Sequence, residues 1–303
     1  YVLPLVDISL LNSPNLDDRM QVAQALDQAC KEFGFLYLKG DQFKPALFAQ
    51  LCDIARHYFA QDDALKMQNY IGKSVNHSGY VPIGEEQFSS NSYDLKESYD
   101  VNYDYQGSAL NYPLLGPTQW PDDPAFKRHV SQYYQHLKAI GHQLFRCFAL
   151  ALEQKEDFFD VHIQHPYNPQ ATDAEGIGAH TDYECFTLLL PTAPGLQVLT
   201  KQGEWIDIPL LENTLVMNIG DMMEILSNGK YLATKHRVKK VQQERYSFPL
   251  FFSCDYDYVI QPINTNEPPK YAPLAGGEHF SNSTIPTFHY IKQRAASGGL
   301  GVK

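Results

Sequence analysis

Gly176-Ile177-Gly178-Ala179-His180-Thr181-Asp182-Tyr183 runs into Phe186-Thr187-Leu188-Leu189-Leu190, and the rest of the chain is organised around this stretch. A histidine and a carboxylate two residues apart head an apolar, threonine-containing run that reads as a buried strand. Strand side chains alternate faces, so His180 and Asp182 point the same way. Pointing inward, they offer one imidazole and one carboxylate to a metal. Phe186, Leu188 and Leu190 are expected on the inward parity of His180, as core.

Two more pieces lie downstream. His236 sits in Thr234-Lys235-His236-Arg237-Val238, and Arg245-Tyr246-Ser247 opens the run Phe248-Pro249-Leu250-Phe251-Phe252. His-x-Asp followed at a distance by a single His is the ligand pattern of the 2-His-1-carboxylate facial triad. It leaves one face of an octahedron open, as non-haem iron(II) oxygenases require. Arg245 and Ser247 share a strand face, where a planar guanidinium can bind a carboxylate through two parallel hydrogen bonds and the hydroxyl adds a third. Pro249 and Phe251 are expected to form a dry wall beside them.

A lone His-x-Asp is weak evidence, whereas an ordered combination is strong. Gly-x-Gly-Ala-His-Thr-Asp is followed by Pro-Gly-Leu-Gln-Val-Leu at 194–199, Asn-Ile-Gly-Asp at 218–221, His236 and Arg-x-Ser. On these residues the chain resembles the isopenicillin N synthase-like family of iron(II)- and 2-oxoglutarate-dependent oxygenases, most specifically over 176–252. Ser78-Gly79-Tyr80-Val81-Pro82 and Asp94-Leu95-Lys96-Glu97-Ser98 are also family-like. The resemblance implies His180, Asp182 and His236 as catalytic iron ligands, and Arg245 and Ser247 as the grip on the distal carboxylate of 2-oxoglutarate. Tyr167, in Pro166-Tyr167-Asn168-Pro169, matches a family tyrosine that touches the cosubstrate. The strand leading to it is shorter than the family pattern, so residues are expected to be rearranged or missing around Pro166. It also makes Asp221 a turn residue rather than a ligand. His162 and His165 read as packing groups, since two more imidazoles would close the face that dioxygen needs.

At 303 residues and 44% apolar composition, the chain suits one large globular domain. No apolar run approaches the roughly 20 residues of a membrane span, and no signal peptide is visible. A start at Tyr1 without Met is consistent with a missing upstream piece. The formal charge of −11 argues against nucleic acid and anionic membrane as partners. Five scattered cysteines without C-x-x-C read as reduced thiols of a cytoplasmic protein.

The organisation expected is a single oxygenase domain over 1–303, mainly β with an α-helical N-terminal half. Residues 1–121 are helical and irregular, 122–254 hold a long helix and the core, and 255–303 are a C-terminal extension. Helices are expected from Asn15 to Gly34, from Pro45, and from the Asp122-Asp123-Pro124 cap. Strands are expected at 161–164, 186–190, 196–199, 205–208, 214–219, 231–241 and 245–253, with a terminal helix over Glu278–Arg294 broken at Pro286. Many short strands suggest a jelly-roll sandwich or barrel, which the resemblance sharpens to a double-stranded β-helix.

The function expected is oxidation of a small organic substrate coupled to decarboxylation of 2-oxoglutarate, with Fe(II), 2-oxoglutarate and dioxygen as the reagents. Hydroxylation, desaturation and cyclisation remain open. So do a cosubstrate-free oxidative cyclase and an ascorbate-type oxidase on the same fold, a catalytically inactive jelly-roll binding protein, and a zinc hydrolase, which lacks a placed general base. Alternation over Tyr93–Tyr105 puts Tyr93, Leu95, Glu97, Tyr99, Val101, Tyr103 and Tyr105 on one face. Part of that face, with Tyr183 and Phe251, is expected to border the substrate.

Overall fold

The computed structural model describes residues 3–87, 96–107, 112–164, 177–239, 243–263 and 267–297. β1 (Leu5–Asp7) leads to α1 (Leu16–Glu32), whose Asn15 cap accepts from the Asp17 amide at 3.0 Å. Asp17 and Asp18 fill the first turn, where negative charge meets the positive end of the helix dipole. The helix ends at Gly34, whose φ of +66° favours a residue without a Cβ. A Cβ there would also lie 2.3 Å from the Leu232 carbonyl. β2 (Phe35–Lys39) follows at once, then α2 (Pro45–Phe59), with Pro45 in its first turn, and the short α3 (Asp63–Lys66). β3 (Gly79–Val81) pairs antiparallel with β4 (Ser98–Asp100). α4 (Pro124–Ala151) is capped by Asp123, which accepts from the amides of Ala125 and Phe126 at 2.9 and 3.1 Å.

Beyond α4 come β5 (Ile177–His180), β6 (Phe186–Pro191), β7 (Leu196–Leu199), β8 (Trp205–Asp207) and β9 (Thr214–Ile219). α5 (Asp221–Leu226), β10 (His236–Val238) and β11 (Ser247–Phe252) follow, then β12 (Val259–Ile260), β13 (Leu274–Ala275), α6 (Gly276–Thr284) and α7 (His289–Ala296). The main strands form a five-stranded sheet in the order β1-β2-β9-β6-β11 and a four-stranded sheet in the order β5-β10-β7-β8. Apart from the parallel β1–β2 pair, their ladders are antiparallel. From β5 to β11 the chain passes repeatedly from one sheet to the other.

Two expectations about the elements need correction. Residues 161–164 are turns rather than a strand: the His162 amide donates to the Phe159 carbonyl at 2.8 Å, closing a turn straight after α4. The strand expected over 231–241 shrinks to β10, because the Ala233 amide is taken by the Glu224 carboxylate at 2.6 Å and the Thr234 hydroxyl by the Phe33 carbonyl at 2.8 Å. The terminal helix breaks at Pro286 as expected, into α6 and α7, because proline has no amide to continue the ladder.

Two layers of apolar packing hold the sheets in place. α1, α2 and α4 pack on one face of the five-stranded sheet, burying Phe145 and Phe148 against Phe186, and Phe145 near Phe252. Gly141 lets α4 lie close, since a Cβ there would sit 1.9 Å from the Phe252 ring. The other layer joins the two sheets through Phe35, Tyr37, Leu196, Val198 and Val216. Phe186, Leu188 and Leu190 belong to the helix-side core, opposite to the face expected. The reason is that His180 ends a strand of one sheet and Phe186 begins a strand of the other, so residues 181–185 reset the parity. No helix among the described residues is long and apolar enough to cross a membrane, and all five cysteines are free thiols.

Candidate metal and cosubstrate site

His180 is the last residue of β5 and His236 the first of β10, and the ladder sets them directly opposite each other with ring centroids 4.4 Å apart. Asp182, two residues past β5, brings Oδ1 to 3.6 Å from His180 Nε2 and 3.5 Å from His236 Nε2. One ligand atom from each residue lies within 4.8 Å of the others. The remaining polar atoms of these side chains are occupied elsewhere. His180 Nδ1 lies 2.8 Å from the Gly178 carbonyl and His236 Nδ1 3.2 Å from the Thr234 carbonyl, which directs both Nε2 lone pairs to the common point. Asp182 Oδ2 accepts from Thr187 Oγ1 at 2.5 Å and Asn218 Nδ2 at 2.7 Å, leaving Oδ1 to face the imidazoles. Burial alone would raise the Asp182 acid, but His236 and His180 outweigh it and hold the carboxyl well below its ordinary range. Burial likewise lowers His236, and Asp182 more than reverses this; a bound metal takes the place of that proton, because only the neutral imidazole has a lone pair to offer. Two neutral nitrogens and one fixed carboxylate oxygen converging from one side fit a divalent iron with open positions.

Arg245 is 2% exposed and donates from Nε to the Ala193 carbonyl at 3.2 Å and from Nη1 to Ser247 Oγ at 2.5 Å. Strand alternation carries Arg245, Ser247, Pro249 and Phe251 into the same cavity as the triad, while Tyr246, Phe248, Leu250 and Phe252 enter the helix-side core. The cavity and its mouth together hold about 950 Å³ of non-protein space, part of it open solvent. Tyr183 also lines it, with its ring against Phe280 of α6.

Of the other expected site residues, Tyr167 lies outside the described residues, as do His165, Tyr93 and Leu95. Tyr99 is displaced from its expected role. It is 1% exposed, packs on Tyr58 and Phe126 at 5.2 and 5.0 Å, and donates to the Gln119 carbonyl at 2.7 Å. β4 pairs Tyr99 with Tyr80 of β3, and both rings enter the helix-side core, so the opposite face of the segment lines the cavity through Lys96 and Asp100. Glu97, on the expected face, binds Lys66 and the Tyr80 hydroxyl instead. His162 packs on Tyr258 at 4.3 Å, and Asp221 begins α5.

Sequence reasoning missed Thr187 and Asn218 as the partners of Asp182. Thr187 is the one polar residue of its apolar run, and Asn218 is the cavity-facing member of Asn-Ile-Gly-Asp, so alternation alone carries both signals. His77, Glu86 and Glu184 were also missed, although they line the cavity. The first two flank the family-like Ser78–Pro82, and Glu184 continues the spacing of His180 and Asp182.

The comparisons with known proteins agree with this geometry. Residues 3–123 match the model described as the non-haem dioxygenase in morphine synthesis N-terminal, and residues 155–253 match that of the 2OG-Fe(II) oxygenase superfamily. The homoarginine-6-hydroxylase 2-ODD-233 of Oryza sativa subsp. japonica is 30% identical, over 94% of this chain and 97% of its own. The 2-oxoglutarate-Fe(II) type oxidoreductase hxnY of Emericella nidulans is also 30% identical, over 89% of this chain and 86% of its own. The crystal structure of a 2OG-Fe(II) oxygenase family protein from Caulobacter crescentus superposes with a TM-score of 0.81 at 28% identity, covering 94% of this chain and 98% of that one. The chain therefore belongs to the 2OG-Fe(II) oxygenase superfamily, with its jelly-roll fold. It is an iron(II)- and 2-oxoglutarate-dependent oxygenase, with dioxygen as oxidant.

Proposed function

We propose that the chain oxidises a small organic metabolite, with His180, Asp182 and His236 holding Fe(II) and Arg245 and Ser247 holding the distal carboxylate of 2-oxoglutarate. The observation that carries this reading is the convergence of the three ligand atoms within 4.8 Å in the cavity that also receives the buried Arg245–Ser247 pair. Bound iron supplies dioxygen activation coupled to decarboxylation of the cosubstrate to succinate and carbon dioxide. The rest is the work of the chain. Thr187 and Asn218 fix the Asp182 carboxylate, the Gly178 and Thr234 carbonyls fix the imidazoles, and Arg245 orients the cosubstrate by a charge-assisted grip.

Tyr183 and Phe251 border the substrate, and Pro249 and Leu189 keep water from the reacting centre. Tyr167 is a further cosubstrate contact in this reading. Hydroxylation is the default outcome, with desaturation and cyclisation as variants. We read the two main sheets as halves of a double-stranded β-helix, supported by the passage of β5 to β11 between them, and residues 1–303 as one oxygenase domain. The charge of −11 supports a small-molecule partner over nucleic acid or anionic membrane.

An anaerobic titration tests the assignment. Protein loaded with Fe(II) is expected to develop a visible charge-transfer band on addition of 2-oxoglutarate, and His180→Ala, Asp182→Ala and His236→Ala are each expected to lose it while remaining folded. Substrate-dependent oxygen uptake without 2-oxoglutarate and without succinate would overturn the cosubstrate assignment.

A further inference from the structure

Besides the triad and the Arg245 wall, the cavity has a second set of polar side chains: His77, Glu86, Lys96, Asp100 and Glu184, all buried. Lys96 is ion-paired with Glu86. With Lys96 engaged by Glu86, the wall holds three acidic side chains, Glu86, Asp100 and Glu184, to one lysine.

The environment of Asp100 is specific. Among the described residues, the one side-chain hydrogen bond onto its carboxylate comes from Ser98 Oγ to Oδ1 at 2.9 Å. Oδ2 faces His77 Nε2 at 4.0 Å, too far for a hydrogen bond. His77 is fully buried and its Nε2 has no hydrogen-bond partner, while Nδ1 is held by the Tyr290 hydroxyl at 2.5 Å. Burial, with Arg294 adding to it, pushes the His77 imidazole down to about 3, so this ring is neutral and brings no charge to Asp100. Burial and the nearby Glu86 push Asp100 up to about 8, more than Lys96 and Ser98 pull it down. Glu184 Oε1, in the same cavity, is like His77 Nε2 buried without a hydrogen-bond partner. Buried polar atoms are rarely left so, because each forfeits its water without compensation. Here they share a cavity built to admit a ligand. An N–H-rich cation supplies what is missing: donors for Oδ2 of Asp100, and a counter-charge that lets this acid release its proton to solvent and ionise where the local dielectric is low.

We propose that this wall is the substrate subsite and that it takes the cationic nitrogen group, ammonium or guanidinium, of a small substrate at Asp100 beside His77. The inference rests on the oxygenase reading, since it assigns the substrate class of that same cavity. Asp100 and His77 are specificity residues, and the opposed grips of Arg245 on an anion and Asp100 on a cation keep cosubstrate and substrate from exchanging places.

The test uses the full chain loaded with Fe(II) and 2-oxoglutarate. The anaerobic charge-transfer band is recorded first, so that its failure marks failure of the oxygenase reading itself. Succinate formation and thermal shift are then measured with butylguanidinium, agmatine and butylammonium, against the neutral isosteres butylurea and pentan-1-ol and the anionic valerate, none of which carries an ammonium group. At least one cation is expected to stimulate succinate formation about tenfold or more over its neutral counterpart, the scale of one charge-assisted hydrogen bond. Asp100→Asn is expected to erase that preference with the 2-oxoglutarate band retained, and Glu184→Gln to weaken it. With the band present in the parent protein, the proposal is overturned if no cation stimulates, if neutral or anionic compounds do so equally, or if Asp100→Asn leaves the preference intact.

Discussion

The two walls of the cavity are built on different principles. The proposed cosubstrate wall comes from regular strands: Ser247, Pro249 and Phe251 at every second position along β11, with Arg245 two residues before it, Thr187 and Leu189 on β6, and Asn218 on β9. β11, at the edge of its sheet, is laddered to β6 along its whole length, and β6 and β9 are each laddered on both sides. The opposite wall comes from short pieces. His77 sits at a φ of +57°, Glu86 makes a single bridge to Phe288, and Asp100 ends the three-residue β4. Packing from behind, rather than a ladder, positions these side chains. The contrast suits the chemistry. 2-Oxoglutarate presents the same carboxylate to every member of the superfamily, whereas a substrate wall assembled from short segments can change without disturbing the ladders.

The largest effect that can sharpen this comparison lies behind the second wall. Tyr99→Ala should cost about 3–5 kcal/mol of stability, because it empties a core site between Tyr58 and Phe126. The cosubstrate wall should not register the change: denaturant melts will shift while the KM for 2-oxoglutarate stays put. A raised KM at normal stability would instead return Tyr99 to the site.

Arg245→Ala comes next and addresses the first wall. Removing a buried guanidinium that grips a carboxylate costs about 2–5 kcal/mol, or roughly 30- to several thousand-fold in the apparent affinity for 2-oxoglutarate. Titration of the charge-transfer band measures it directly. An unchanged midpoint would mean that the anion sits elsewhere in the cavity.

Asn218→Ala and Thr187→Val should have a smaller effect, weakening metal affinity by about 10–100-fold through the freed Asp182 carboxylate. Competition for Fe(II) against a chelator reads this out. If both variants hold metal as the parent does, the ladders alone position Asp182.

These variants also mark what the sequence discloses. His180, Asp182, Arg245, Ser247, Pro249 and Phe251 were legible because strand alternation and motif order both point to them, and the capped starts of α1 and α4 were legible for equally local reasons. The inward face of Phe186, Leu188 and Leu190 was misread because periodicity does not survive a passage between sheets. Tyr99 was misread because the choice between two faces of a two-strand ribbon is made by α2 and α4 on one side and the cavity on the other. That decision is tertiary, and nothing local records it. For the same reason His77 and Asp100, 23 positions apart in the chain, could not be brought together from the sequence.

The most direct probe of the second wall is its response to pH. Burial holds the Asp100 acid at about 8 in the folded protein, against 3.8 for an ordinary aspartate. The folded state therefore binds this proton more tightly than the unfolded state does. The stability associated with it is complete below pH about 4 and is progressively lost as pH rises towards 8, where the native carboxylate finally ionises among Glu86, Lys96 and His77. Asn at this position has no proton to lose and keeps an oxygen for Ser98 Oγ. Asp100→Asn should therefore melt with the parent near pH 4 and above it near pH 8. A saturating cationic ligand should narrow the gap at pH 8, because it supplies the carboxylate with a counter-charge that it cannot supply to the amide. A variant less stable than the parent at every pH would show that the second wall satisfies Asp100 by itself, making this carboxylate part of the scaffold that the comparison assigns to Tyr99.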